Sequence, residues 1–217
     1  LFDQQSSINN PAEIMRFPTQ MLEVLQLLKE NKYVHGDIRP EYIYYNHINQ
    51  RYILLDRLGS DTGFLQTQTN TLMYAENLVY MSPEMFEAVM QKRPLEFDLH
   101  KCEVFSLGMV LLSMFLDVFE MDMCYNRYTR RFDEFFFGSL VKDLKTNVFS
   151  GNLFNDQISD FLFNDMLCLD PRRRLGPRAC VDKLKNSIAP IMLRELERVQ
   201  LNSANLADFV SANKDEL

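Results

Sequence analysis

The stretch that decides the fold is His35-Gly36-Asp37-Ile38-Arg39-Pro40-Glu41-Tyr42. Pro40 disfavours helical geometry at the residue before it, so this charged stretch is predicted to be a loop. Short apolar runs follow at residues 43–45 and 52–55, and the residues between them are polar. Two apolar runs joined by a polar turn are typical of a β-hairpin. The sequence therefore predicts a charged loop that leads directly into a small hairpin.

Helices are predicted on both sides of this loop. Before it, apolar residues recur at helical spacing between residues 21 and 28. Pro18 suits a first helical turn, so this helix is predicted to begin near Pro18 and to end near Asn31. After the loop, the run at residues 104–116 is apolar on nearly every side, which predicts a helix buried all round. The predicted fold class is mainly α.

Three further segments have a less regular pattern. Residues 57–79 are rich in threonine, glutamine and asparagine, and they are predicted to be a long loop. The three consecutive phenylalanines at 135–137 are predicted to lie between helices. Pro190 is predicted to separate two amphipathic helical stretches.

Four more strings follow the opening stretch in a fixed order. They are Asp56-Arg57-Leu58, Tyr80-Met81-Ser82-Pro83-Glu84, Glu103-Val104-Phe105-Ser106-Leu107-Gly108 and Asp170-Pro171-Arg172-Arg173-Arg174. With the stretch at 35–42 they resemble the H-R-D-x-x-x-x-N, D-F-G, A-P-E, D-V-W-S-x-G and D-P-x-x-R strings of protein kinases, in that order. The resemblance spans roughly residues 14–190.

This resemblance implies the domain organisation. Residues 13–190 are predicted to form a kinase-like C-terminal lobe, mainly α, with the small hairpin beside the former active site. Residues 1–12 are predicted to be a linker or loop, and residues 191–217 a C-terminal helical extension. Neither the G-x-G-x-x-G loop nor the V-A-I-K strand of the kinase N-terminal lobe occurs in this sequence.

Asp37 and Asp56 stand at the two acidic positions of a kinase active site. The resemblance implies that Asp37 accepts the proton of the substrate hydroxyl and that Asp56 holds Mg²⁺ against the phosphates. Tyr42 stands where the family has a Mg²⁺-binding asparagine, and a neutral phenol is a poor ligand for this ion. Arg39 stands where the family has a lysine, and a planar guanidinium does not replace a point charge. Arg39 and Tyr42 are therefore degenerate cofactor-binding positions, and both aspartates are predicted to be vestigial.

The residues around these positions depart from the family as well. Arg57 replaces the phenylalanine of D-F-G, which packs in an apolar stack, and a buried guanidinium needs a partner there. Leu58 replaces the glycine and restricts the backbone. Gly36 replaces the arginine of H-R-D, which in the family often pairs with a phosphorylated activation loop.

Four residues are predicted to serve the architecture: His35, Glu84, Glu103 and Arg174. The resemblance implies that Glu84 and Arg174 form a buried ion pair between the A-P-E-like segment and a late helix. It also implies that Glu103 tethers the catalytic loop, as an aspartate does in the family. The sequence thus keeps the residues that specify the fold, whereas several positions that serve the reaction are changed.

The expected function is a catalytically inactive kinase-like module, a pseudokinase, that acts as a scaffold or structural subunit with protein partners in a larger assembly. No cofactor is expected. The alternative is an active, atypical serine/threonine kinase that uses Mg-ATP, with Asp37 as base and Asp56 holding Mg²⁺. A third hypothesis is a regulator that binds ATP without transferring phosphate.

The composition of the chain argues against several classes of partner and binding site. The net charge of −7 and the pI of about 5.0 argue against a nucleic-acid partner. The apolar run at 104–116 is shorter than the roughly 20 residues that span a bilayer, so no membrane span is expected. The four cysteines are far apart, which is typical of reduced thiols and not of a zinc site.

The expected location is the cytoplasm, with a cytoskeletal or ciliary assembly as a more specific hypothesis. The sequence ends in Lys214-Asp215-Glu216-Leu217, which matches an ER-retention address. That interpretation is set aside because the sequence has neither a glycosylation sequon nor a signal-peptide pattern.

Overall fold

The computed structural model describes residues 11–55, 78–94, 96–149, 153–194 and 197. Helices dominate these residues, and the strands form two small antiparallel hairpins. The fold class is therefore mainly α, as predicted.

Helix α1 (Pro11–Glu30) precedes the charged loop. It begins at Pro11, inside the predicted linker, and Pro18 lies within it, so the predicted start near Pro18 is wrong. A proline at the first helical position loses nothing, because the amide there has no intrahelical acceptor. Pro18 forfeits one helical hydrogen bond, but α1 buries Phe17 and Met21 beside it. Burial of this face offsets the missing bond.

Strands β1 (Ile43–Asn46) and β2 (Arg51–Leu54) form the first hairpin, with Ile43 opposite Leu54 and Tyr45 opposite Tyr52. A 3₁₀ turn at Pro40–Tyr42 leads into it. The ring of Tyr52 meets the ring of Phe17 edge-on at 4.8 Å, so the hairpin packs against α1.

Helix α2 (Pro83–Gln91) follows a second 3₁₀ turn at Leu78–Tyr80. Helix α3 (Leu99–Leu112) is capped by Asp98, which accepts a hydrogen bond from the amide of His100. Residues 102–112 of α3 are all buried, so this helix forms the centre of the core. It ends before residue 116, earlier than the apolar run predicts.

Helix α4 (Val118–Asp122) leads into a second hairpin of β3 (Tyr125–Asn126) and β4 (Arg131–Phe132). Helix α5 (Glu134–Asn147) begins directly after it. The phenylalanines at 135–137 lie in the first turn of α5, so their predicted position between helices is wrong. Asp133 caps this turn by accepting from the amide of Phe136, and this places Phe135 in solvent and Phe137 in the core.

Helix α6 (Leu153–Asp160) continues into a π turn at Phe161–Met166. Helix α7 (Pro177–Lys183) continues into a π turn at Leu184–Ile188 and a helical segment at residues 189–194. Pro190 lies inside that helical segment, so it does not separate two helices as predicted. The i to i−4 bonding pattern is already interrupted by the π turn, which suits a residue without an amide hydrogen.

The described residues share one main hydrophobic core, formed by α1, α3, the π turns and the aromatic residues of the second hairpin. Within those residues, no helix has the length and apolar character needed to cross a bilayer.

Candidate functional site

Helix α3 holds the charged loop in place through Glu103. Oε1 of this buried carboxylate accepts the backbone amide of His35 at 2.6 Å and that of Gly36 at 3.1 Å. A carboxylate that accepts two amides forms charge-assisted hydrogen bonds, which are stronger than neutral ones. Gly36 has φ of 77°, a left-handed conformation that costs a glycine nothing. The loop is therefore anchored at its first two residues.

The imidazole of His35 joins this loop to the end of the first hairpin. Its Nδ1 accepts from the amide of Asp37 at 3.3 Å, and its Nε2 lies 2.8 Å from the carbonyl of Leu55. Because Nδ1 is an acceptor, the proton belongs on Nε2, which then donates to Leu55. His35 is 2% exposed, so its ring is a buried connection between the loop and the hairpin.

Asp37, Arg39 and Tyr42 come together at the surface of this loop. Nε of Arg39 lies 3.4 Å from Oδ1 of Asp37, at ion-pair distance but without hydrogen-bond geometry. Nη2 of Arg39 donates to the hydroxyl of Tyr42 at 3.2 Å, and the guanidinium lies 4.8 Å from the centre of the Tyr42 ring. Burial lowers the pKa of Arg39, but the Tyr42 hydrogen bond and the Asp37 charge outweigh it, so the net pKa is raised. The guanidinium is thus a fixed cation shared by both residues.

A second cluster lies between α2 and the segment before α7. Nη1 and Nη2 of Arg174 donate to the two carboxylate oxygens of Glu84, at 2.6 and 3.0 Å. Arg174 also donates to the carbonyls of Cys168 and Lys101, so each of its three guanidinium nitrogens donates a hydrogen bond. Sγ of Cys102 lies 3.2 Å from Oε1 of Glu84.

A model of the protein kinase domain matches residues 2–184. The chain belongs to the protein kinase family. The predicted family is thereby confirmed.

A curated relative is similar to part of the chain. Mitogen-activated protein kinase kinase 7 of Arabidopsis thaliana is 28% identical over 113 residues, which is 50% of this chain and 34% of that protein. The chain thus spans about a third of the length of this relative.

The predicted site residues meet in separate groups. The structure brings Asp37, Arg39 and Tyr42 together, and it brings His35 together with Glu103. It also brings Glu84 together with Arg174, far from the loop in sequence. Asp56, Arg57 and Leu58 lie outside the described residues, so Asp56 stays a prediction. Among the residues described, no group of three or more His, Cys, Asp or Glu side chains has the arrangement of a metal site.

Two contacts near the site involve residues that the motif comparison does not reveal. Nδ1 of His100 lies 3.5 Å from Oε2 of Glu103, and neither of these buried atoms has a hydrogen bond within the described part of the chain. Nζ of Lys101 donates to the carbonyls of Pro171 and Arg172, which ties α3 to the segment that carries Arg174. The helical i, i+3 spacing of His100 and Glu103 is the one sequence signal for the first contact.

Proposed function

We propose that this member of the protein kinase family is a catalytically inactive module that acts as a scaffold or structural subunit in a larger protein assembly. The observation that carries the proposal is the contact between Arg39 and Tyr42. The family's active members hold Mg²⁺ with an amide oxygen at the Tyr42 position. Here a phenol stands there, and its oxygen already accepts a hydrogen bond from a cation.

The charged groups at this site are engaged with one another. Arg39 keeps the positive charge of the family's lysine, but its guanidinium is held between Asp37 and Tyr42 by an ion pair and a hydrogen bond. A planar guanidinium in that position does not act as the point charge that lysine supplies. Asp37 is paired with this guanidinium and is only partly exposed. Its carboxylate is therefore engaged within the loop and is less available to accept a proton from a substrate hydroxyl.

The retained architecture supports the structural half of the proposal. Glu103 still tethers the loop, and Glu84 still pairs with Arg174, although neither contact transfers a phosphoryl group. A fold maintained without the family's metal-binding asparagine is the pattern expected of an interaction module. The proposal includes protein partners and no cofactor. It places the protein in the cytoplasm, within a cytoskeletal or ciliary assembly.

Thermal unfolding of the full-length natural protein with and without millimolar Mg-ATP tests it. We expect no change in the unfolding temperature. A ligand at ten times its Kd stabilises by about 1.4 kcal/mol, which corresponds to about 3–6 °C in a domain of this size. A magnesium-dependent rise of that size would contradict the proposal and support nucleotide binding.

A phosphotransfer assay separates a nucleotide-binding protein from an active kinase. The wild type and Asp37→Asn are compared on a generic protein substrate, with an active kinase as positive control. We expect both to give the same background. Transfer by the wild type that Asp37→Asn abolishes would establish the alternative, an active serine/threonine kinase.

A further inference from the structure

A concentration of positive charge lies away from the candidate site, on two adjacent segments. They are the end of α2 at residues 91–93 and the loop of the second hairpin at residues 126–131. These nine residues include five cations and no carboxylate, in a chain whose net charge is −7. The basic surface is defined as Lys92, Arg93, Arg127, Tyr128, Arg130 and Arg131.

The basic surface is built on an ordered support. Nε2 of Gln91 donates to the carbonyl of Arg130 at 3.1 Å, which joins α2 to the hairpin loop. The loop is closed by the amide of Thr129, which donates to Asn126 at 2.8 Å. Tyr125 and Phe132 anchor the hairpin in the core at 3% and 6% exposure. The backbone that carries the cations is therefore held in place, and a partner that binds them loses less conformational freedom to ordering of that backbone.

Three of these cations lack a carboxylate partner within the described part of the chain. Arg127 pairs with Asp122 at 2.8 Å, and Arg93 lies 3.8 Å from Glu87. Lys92, Arg130 and Arg131 are exposed and form no ion pair with any described residue. Like charges at close range repel, so no ion pair accounts for the clustering of these three cations.

Two residues of the basic surface have an unusual backbone conformation. Lys92 and Arg130 have φ of 55° and 57°, a left-handed conformation that is uncommon outside glycine and asparagine. Lys92 follows a helix end, where a cation is favoured by the helix dipole. Arg130 does not lie at a helix end, and glycine would adopt its conformation without strain. The long cationic side chain at Arg130 thus has no local structural reason.

The tip of the hairpin adds an aromatic contact. Tyr128 is 96% exposed and lies within the same loop as Arg127 and Arg130. Tyrosine and arginine are among the residue types enriched at protein interfaces. The surface therefore combines charge with a ring that can pack on a partner chain.

An open recess of about 680 Å³ lies between α2 and the hairpin. Its lining includes Arg93 and Arg131, but also the carboxylates of Glu87, Asp133 and Glu134. A long polyanion or an anionic membrane would meet these carboxylates as well as the cations. A short segment with a few adjacent carboxylates covers less of this surface, so it can contact the exposed cations without lying along the whole recess.

We propose that the basic surface docks a short acidic segment of a partner protein. This site goes beyond the proposed scaffold function, and it does not depend on whether the chain transfers phosphate. The docking proposal is tested by peptide binding in the absence of nucleotide, whereas the proposed function is tested with Mg-ATP. Either proposal can therefore fail while the other stands.

Fluorescence anisotropy of the full-length protein tests the docking site. The probes are a short labelled peptide rich in glutamate and the same peptide with glutamine at every glutamate. We expect only the glutamate peptide to bind, and binding to weaken as salt shortens the range of the charges. In Arg130→Gln/Arg131→Gln we expect about tenfold weaker binding, since each exposed ion pair contributes up to about a factor of five.

The matched control is Arg172→Gln/Arg173→Gln, which removes the same charge from an exposed arginine pair outside the basic surface. We expect this variant to bind like the wild type. The proposal would be overturned if the two double variants lost affinity for the glutamate peptide equally, or if the glutamine peptide bound the wild type as well as the glutamate peptide does. Should the hairpin variant not fold, Lys92→Gln tests the other segment, and unchanged binding there counts against the site.

Vesicles of phosphatidylserine and phosphatidylcholine provide the last arm. We expect the protein not to sediment with them at physiological salt. Sedimentation that Arg130→Gln/Arg131→Gln abolishes, without binding of the glutamate peptide, would replace the acidic segment with a membrane surface.

Discussion

Arg174 and Glu84 form a bidentate ion pair across ninety residues of sequence, with Nη1 to Oε1 at 2.6 Å and Nη2 to Oε2 at 3.0 Å. The side chain of Arg174 is 0% exposed and that of Glu84 is 10% exposed. The guanidinium also lies 4.8 Å from the centre of the Phe105 ring. An arginine so far removed from water is stabilised only while each of these partners remains, so the pair joins α2, α3 and the segment before α7.

Glu84→Gln is expected to lower the free energy of unfolding by about 3–5 kcal/mol, because it leaves the buried Arg174 cation without its counter-charge. Urea unfolding followed by circular dichroism measures the loss. The double variant Glu84→Gln/Arg174→Met removes both charges, and we expect it to be more stable than Glu84→Gln alone. A loss below about 1 kcal/mol in Glu84→Gln would show that the pair behaves as a surface salt bridge.

Lowering the pH is expected to remove the stability that the Glu84–Arg174 ion pair contributes. Burial raises the pKa of Glu84, but the hydrogen bonds and charge of Arg174 outweigh it, so the net pKa is lowered from 4.5. A carboxyl with a lowered folded pKa adds stability above its unfolded pKa and loses it as pH falls through the folded pKa. The difference in unfolding free energy between wild type and Glu84→Gln should therefore be constant near neutrality and shrink below about pH 4.5. A constant difference down to pH 3 would contradict the lowered pKa.

The motif order is the part of this architecture that sequence reasoning can predict. Five strings in sequence place Glu84 opposite Arg174 and Glu103 opposite the loop, because a fold that is shared also shares its internal contacts. Periodicity does not reveal that α1 continues through Pro18, since the packing of Phe17 and Met21 outweighs the local cost of proline.

Contacts between neighbouring polar side chains are harder to predict. The spacing of Arg39 and Tyr42 does not say whether the guanidinium turns toward the phenol or toward solvent. That choice depends on the 3₁₀ turn at Pro40–Tyr42 and on the position of Asp37. The contact between Gln91 and Arg130 has no signal at all, because it joins two segments that no motif covers.

Glu103→Ala is expected to loosen the candidate site. It removes the acceptor of the His35 and Gly36 amides, and hydrogen bonds to a charged group contribute about 1.5–3 kcal/mol each. We expect a loss of about 3 kcal/mol in unfolding free energy and faster hydrogen exchange at residues 35 and 36. Glu103→Gln keeps an acceptor oxygen, so its loss should be less than half as large. Equal exchange rates in Glu103→Ala and wild type would show that α3 does not hold the loop.

The thiols are expected to react unequally with a thiol reagent. Burial raises the pKa of Cys124 and of Cys180 to about 12. Cys102 is buried too, and burial with the nearby Glu84 charge raises its pKa further. A thiol with a pKa of 12 is about one ten-thousandth thiolate at pH 8, and the thiolate is the reactive form.

Cys168 is the partly exposed cysteine among the four, so native protein at pH 8 should show one fast thiol, and denatured protein four. Absorbance after addition of an aromatic disulfide reagent counts them. Cys168→Ser should remove the fast phase completely. A fast phase that persists in this variant would show that one of the other three thiols is accessible.

Two glycines in helices are expected to respond in opposite directions to alanine. A Cβ at Gly108 in α3 would lie 2.8 Å from Cδ2 and 2.9 Å from Cγ of Leu167, and 3.4 Å from Cβ of Met166. Leu167 is 1% exposed and Met166 0% exposed, so neither can move aside into solvent. Overpacking of this kind costs about 1–3 kcal/mol, and Gly108→Ala should be destabilised by that amount.

Gly138 in α5 is the matched control, because a Cβ there would meet nothing within 4 Å. Alanine restricts the unfolded chain and favours the helix, so Gly138→Ala should gain about 0.5–1 kcal/mol. Urea unfolding of the two variants in parallel measures both effects. If Gly108→Ala matched Gly138→Ala in stability, α3 and the π turn at Phe161–Met166 would not be packed as closely as the Gly108 contact requires.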